Sequence, residues 1–166
     1  VNILNAEDAS YKGTLSMEGL ASATGKLGGL AVADGKLIAS NIVTAAQNLR
    51  VYIWDNDAAA PRVLVQKDAA GIITGGSIAF SGTLNNGRVW LTKDGSNEIV
   101  YFEIKNGSCD NNIHTIALKN AKGEAYKYGS DGRGASKIYP NADGSFWMVQ
   151  KDGDVAKFDA SGKITD

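Results

Sequence analysis

Val51-Tyr52-Ile53-Trp54-Asp55 is a short apolar run that ends in a large hydrophobe and a carboxylate. The phrase recurs as Val1-Asn2-Ile3-Leu4-Asn5, as Ile99-Val100-Tyr101-Phe102-Glu103 and as Val155-Ala156-Lys157-Phe158-Asp159. Its closing residues, 5, 55, 103 and 159, lie about 50 positions apart, a period that signals stacked supersecondary units rather than one irregular domain.

Further strands surround each copy in a fixed order. A first type opens after glycine, at Gly29 to Ala33, Gly76 to Phe80 and Gly134 to Tyr139. Each is followed by a pair suited to the positive φ angles of a type I′ turn: Asp34-Gly35, Asn86-Gly87 and Asp143-Gly144. A second strand follows the turn, at Lys36 to Ser40, Arg88 to Thr92 and Ser145 to Val149, with Ile38, Trp90 and Trp147 in equivalent places. The repeated phrase is the third strand. The fourth runs over Tyr11 to Met17, Arg62 to Gln66, His114 to Lys119 and a stub at Lys163 to Thr165. Pro61 and Pro140 fall at strand margins, where a missing N–H is tolerated, and no segment has amphipathic helical spacing.

Four-stranded antiparallel units of this length are the blades of a β-propeller. The expected fold is therefore all-β, an incomplete propeller arc of about three and a half blades. Its divisions fall at 1–27 (a half blade and connector), 28–71, 72–125 and 126–166. Trp54-Asp55 stands where propeller repeats of the Trp-Asp type close their third strand, but the Gly-His dipeptide of those repeats is missing. The phrasing of Asp143-Gly144-Ser145-Phe146-Trp147 and of Asn5-Ala6-Glu7-Asp8-Ala9-Ser10-Tyr11-Lys12-Gly13-Thr14-Leu15 resembles secreted propeller proteins of unknown function from gut Bacteroidetes. That resemblance implies an extracytoplasmic location, secreted or at the cell surface, and a part in handling glycans or surface proteins. Propellers close with about four to eight blades, so self-association or further blades are expected to cover the end faces of the arc. The start at Val1, inside a repeat, is expected of a trimmed product or a fragment.

Composition narrows the function classes. With 43% hydrophobic and 21% charged residues the chain is ordinary globular material. Its 17 basic and 18 acidic residues leave a net charge of −1, which lacks the basic footprint of nucleic-acid binding. No apolar stretch is long enough to span a bilayer. Cys109 is the single cysteine, which excludes an intrachain disulfide, and it reads as a residue of a polar loop. His114 is the single histidine, which excludes a His-rich metal site, and it reads as a surface residue on an edge strand.

No catalytic constellation, metal site or cofactor is expected. Trp54, Trp90, Trp147, Phe102 and Phe158 read as core between stacked units. The oxygen-rich runs Asp55-Asn56-Asp57, Asp110-Asn111-Asn112 and Asp152-Gly153-Asp154 read as turns, since none has the spacing of a calcium loop. Ligand contacts are expected instead in loops that differ between repeats: Asn41, Gln47 and Asn48; Asp94 and Asn97; and Tyr126, Tyr128, Asp131 and Arg133 in the longest insertion, Lys122 to Arg133. The function expected is a non-enzymatic binding or scaffold module whose loops contact a glycan or a surface protein. The alternative is a fragment of a propeller glycoside hydrolase or lyase, which would carry acids on its first strands; Gly29 to Ala33, Gly76 to Phe80 and Gly134 to Tyr139 carry none.

Overall fold

Alternation of apolar and polar residues, punctuated by Asp, Asn and Gly, leaves these segments little choice but paired strands, and the computed structural model contains 14 of them. It describes residues 1–20, 27–41, 43, 48–68, 77–93, 96–126, 137–149 and 155–166, and among these no helix occurs. Strands β1 (Asn2–Leu4) and β2 (Tyr11–Thr14) form a two-stranded sheet. Strands β3 (Leu27–Ala33), β4 (Lys36–Asn41), β5 (Leu49–Trp54) and β6 (Arg62–Lys67) form a four-stranded sheet in sequence order.

The next sheet is built from β7 (Ile78–Thr83), β8 (Asn86–Thr92) and β9 (Glu98–Lys105), with β10 (Ser108–Cys109) and β11 (His114–Ala117) both pairing with β9. The last holds β12 (Lys137–Pro140), β13 (Phe146–Val149) and β14 (Val155–Phe158). The chain end lies beside β14 through the Phe158–Ile164 bridge, and Lys163 bridges back to Lys119. All strand pairs are antiparallel.

Successive sheets share three cores. Leu15 and Ile3 pack on Tyr52, Trp54 and Ala39. The opposite face of the same sheet, with Ile38, Val51 and Ile53, meets Val89, Leu91, Val100, Phe102 and Ile104 of the next. The far face of that sheet, with Ala79, Trp90 and Ile99, meets Ile138, Phe146, Met148, Ala156 and Phe158. The central strands are thus apolar on both faces, which is why β5 and β9 read as nearly unbroken hydrophobic runs.

The first strands of the sheets adjoin one another, β7 lying beside β3 on one side and β12 on the other. Trp54, Trp90, Phe102 and Phe158 are buried in these cores as the repeat implies. Trp147 departs from the expectation. Strand alternation sends Phe146 and Met148 inward and leaves Trp147 half-buried on the opposite face, with Lys157 Nζ 5.5 Å above its ring and Tyr139 and Val155 exposed nearby.

Two of the three expected type I′ turns also differ. Asp34-Gly35 forms one, with φ of 48° and 73° at its two central residues. In the next hairpin Thr83 pairs with Asn86, so the loop residues are Leu84 and Asn85 and Asn86-Gly87 already belong to β8. Burial of Leu84 in the core against the preceding sheet draws the turn back by two residues. Gly87 then lies against backbone, where a Cβ would meet the Thr83 carbonyl oxygen at 2.4 Å. The third connection is a five-residue loop, 141–145, in which Asp143 Oδ1 accepts from the Ser145 N–H at 2.9 Å and Gly144 takes φ of 85°.

Candidate functional site

Antiparallel pairing puts the loops in two sets. The 34–35, 84–85 and 141–145 connections lie at one end of their sheets, together with the links from third to fourth strands at 55–61 and 106–113. The described residues of the loops singled out in the sequence, Asn41, Asn48, Asn97 and Tyr126 among them, lie at the other end. Of the expected contact residues, Gln47, Asp94, Tyr128, Asp131 and Arg133 fall outside the described residues.

The remaining four are engaged with their own backbone or core. Asn41 is buried; its Nδ2 donates to the Asn48 carbonyl at 2.8 Å and its Oδ1 accepts from the Arg50 N–H at 2.7 Å, closing the loop between β4 and β5. The structure brings Asn97 and Tyr126 together around Leu118, whose N–H donates to the Asn97 carbonyl at 2.6 Å and whose carbonyl accepts from the Tyr126 N–H at 2.9 Å. The Tyr126 ring stands edge-on to Phe158, with centroids 5.4 Å apart, and packs on the core between the last two sheets. Asn41 and Asn48 belong to a separate loop.

The Lys122 end of the insertion is a tight turn. Asn120 Oδ1 accepts from the N–H groups of Lys122 and Glu124, both at 2.9 Å, and its Nδ2 donates to Glu124 Oε2.

The single histidine and the single cysteine are both partly enclosed. His114 does start an outer strand, but its ring stacks on Tyr101 at 4.9 Å and 14°, and its Nε2 is shielded without a hydrogen-bond partner among the described residues. Cys109 lies on β10 rather than in a loop and packs against the core. Its Sγ accepts from the Asn111 N–H at 3.2 Å, and burial pushes the thiol pKa up.

Two open clefts lined by described residues lie at the turn end. One, of about 440 Å³, runs between Arg62 to Gln66 on β6 and the 107–111 segment of the next sheet. It is crossed by a bond from the Gln66 N–H to Asn111 Oδ1 at 2.9 Å. The second, of about 420 Å³, separates the β7–β8 hairpin from the 141–144 loop, with Ser81, Asn86, Arg88, Trp90, Glu103 and Asn141 among its lining.

The second cleft holds the better set of polar side chains. Ser81, Arg88 and Glu103 are direct cross-strand neighbours. The Ser81 hydroxyl accepts from Trp90 Nε1–H at 2.8 Å, leaving the indole fixed and buried in the cleft floor. The Arg88 guanidinium lies 4.6 Å above the Tyr101 ring and 3.9 Å from Glu103. Glu103 is held more tightly by Lys105, at 2.9 Å, and that bond above all keeps its carboxyl below the usual range.

The corresponding cation and acid of the preceding sheet are closed on each other. Lys36 lies 2.6 Å and Arg62 3.2 Å from Asp55, which depresses the Asp55 pKa through the Lys36 bond first. Lys36 before Asp55 and Arg88 before Glu103 occupy matching places in the repeat, which is the sequence signal for this pair. What the repeat does not carry is the difference between a closed pair and an open one.

With several small antiparallel sheets and no helix among the described residues, the protein is all-β. No family model matches its sequence, and no curated protein does. A DUF4623 family protein from Bacteroides eggerthii has a similar structure over 99% of this chain, with a TM-score of 0.74 at 15% identity. This chain spans 38% of that protein's length. The computationally designed Ika4 protein aligns over 93% of this chain and 78% of its own, with a TM-score of 0.47 at 14% identity. The first likeness extends the expected tie to gut Bacteroidetes as far as a shared fold with a Bacteroides protein.

Proposed function

We propose that the chain is an arc of a β-propeller acting as a non-enzymatic binding or scaffold module, secreted or at the cell surface, that contacts a glycan or a surface protein. One observation carries the architectural part: the first strands β3, β7 and β12 adjoin across successive junctions while each sheet extends away from them, the arrangement of blades around an axis. The binding part is supported by a polar cleft that opens between two sheets beside connecting loops, where function on such scaffolds concentrates.

The test is saturable binding of the fluorescently labelled chain to Bacteroides cells, repeated after periodate and after protease treatment of the cells. Loss after periodate identifies a glycan and loss after protease a protein. Absence of saturable binding in all three overturns the binding reading and leaves a spacer.

A further inference from the structure

At the first core-sharing junction between four-stranded units, the turn ends are stitched together. Asp34 Oδ2, at the tip of the β3–β4 hairpin, accepts a hydrogen bond of 2.7 Å from the Leu84 N–H in the next hairpin. The first residue of that next hairpin's two-residue loop, the loop place Asp34 holds in its own, is Leu84 itself, whose side chain is buried against the preceding sheet and has no acceptor to offer onward. The following loop, 141–145, instead satisfies itself, Asp143 bonding both the N–H and the hydroxyl of Ser145 and Asn141 bonding the same hydroxyl. With no stitch between them, hairpin and loop stand apart, and the cleft of about 420 Å³ results.

That volume lies in the range of small-molecule sites. The walls bring one guanidinium, Arg88, and the carboxylates of Glu103 and Asp143, with the amides of Asn86 and Asn141. Arg88 is positioned by stacking on Tyr101 rather than by a tight ion pair, so its N–H groups remain directed by the ring beneath it. Glu103 and Asp143 are balanced by Arg88 and by Lys105 on Glu103, so the cleft has no strong excess of either charge, and among the described residues no group of three acidic, His or Cys side chains gathers to hold a metal ion. Arg88 and Asn86, two apart on β8, and Glu103 opposite Arg88 on β9 place donors and acceptors together on one wall, a mixture that suits hydroxyl groups.

We infer that the cleft between the β7–β8 hairpin and the 141–144 loop is a binding site for a neutral saccharide, with Arg88 and Glu103 as its principal hydrogen-bonding groups. This rests on the binding-module reading above and gives it a location, at the opposite end of the sheets from Asn41, Asn97 and Tyr126.

The experiment places the purified chain on an array of neutral and acidic glycans, then titrates the strongest neutral oligosaccharide by calorimetry into wild type, Arg88→Ala, Glu103→Gln and Lys122→Ala. Binding of neutral glycans, weakened at least tenfold by Arg88→Ala and by Glu103→Gln but unchanged by Lys122→Ala, is the expected result. Arg88→Lys replaces Arg88→Ala if circular dichroism shows the latter unfolded; it keeps the charge but loses the planar fork. Neutral-glycan binding that survives both cleft substitutions overturns this site while leaving the binding module standing. Binding of acidic glycans alone, or of none, overturns the saccharide class, and the cell-binding experiment then decides the broader reading by itself.

Discussion

Asp34 and Leu84, fifty residues apart in sequence, are joined by a 2.7 Å hydrogen bond from the Leu84 backbone N–H to the Asp34 carboxylate. Asp34 also takes a positive φ, so one side chain both tolerates the turn and ties one sheet to the next. Replacing it with Ala leaves the Leu84 N–H without its partner and puts a Cβ residue with no local polar group into the left-handed region. Urea unfolding of Asp34→Ala is expected to show a loss of about 1–3 kcal/mol. Asp34→Asn, which keeps an acceptor and the tolerance, is expected to lose less than half of that.

The two tryptophans at matching repeat positions should behave differently. Trp90 is 1% exposed, bonded to Ser81 and packed 6.0 Å from Phe146 between centroids. Trp90→Ala should cost about 3–5 kcal/mol, the range for emptying a large aromatic site in a core. Trp147→Ala, on the outward face of its sheet, should cost well under half as much in the same denaturation assay. Equal losses would mean that Trp147 is covered in solution.

The Cys109 thiol should react slowly. Burial raises its pKa, so the thiolate is scarce at neutral pH, and packing against the core limits access. Ellman's reagent is expected to modify it at least tenfold more slowly in the native chain than in urea; equal rates would show the β9–β10 hairpin to be open.

Acid should destabilise the fold in a narrow window. The carboxyls of Asp8, Asp55, Asp110, Asp143 and Asp159 are held below their ordinary 3.8, and that of Glu103 below 4.5, chiefly by hydrogen bonds to turn N–H and hydroxyl groups or to lysine. A depressed native pKa stabilises the fold above the unfolded pKa and loses that contribution as pH falls through the native one. The thermal midpoint is therefore expected to be insensitive to these groups at neutral pH and to fall on acidification below about pH 4. These groups lie at the surface, so each effect is small and weakens with salt.

Strand order was legible because each strand is bracketed by residues with specific dihedral uses, and because Trp54, Phe102 and Phe158 mark the same register three times. Asn86-Gly87 misled because turn chemistry is local, whereas the turn's position was decided by the burial of Leu84 against another sheet. Trp147 misled for the complementary reason: its repeat place predicts which face it takes, and only the packing of sheets says whether that face is covered. The cleft was not legible at all. Arg88 and Glu103 meet through strand register, and the opening beside them lies between a hairpin and a loop that share no hydrogen bond among the described residues. Tyr126 lies in an insertion, and its half-buried ring also packs edge-on to Phe158 against the core.

Because the β3–β6 sheet and the β7–β11 sheet each give one face to the sheet before and the other to the sheet after, neither owns its interior. Loss of either strips a wall from two neighbours, and a disturbance travels by adjacency, as in a one-dimensional cooperative array. The β4–β5 and β8–β9 backbones, enclosed from both sides, should accordingly be the last to exchange amide hydrogen for deuterium, and β1–β2, held from one side only, among the first.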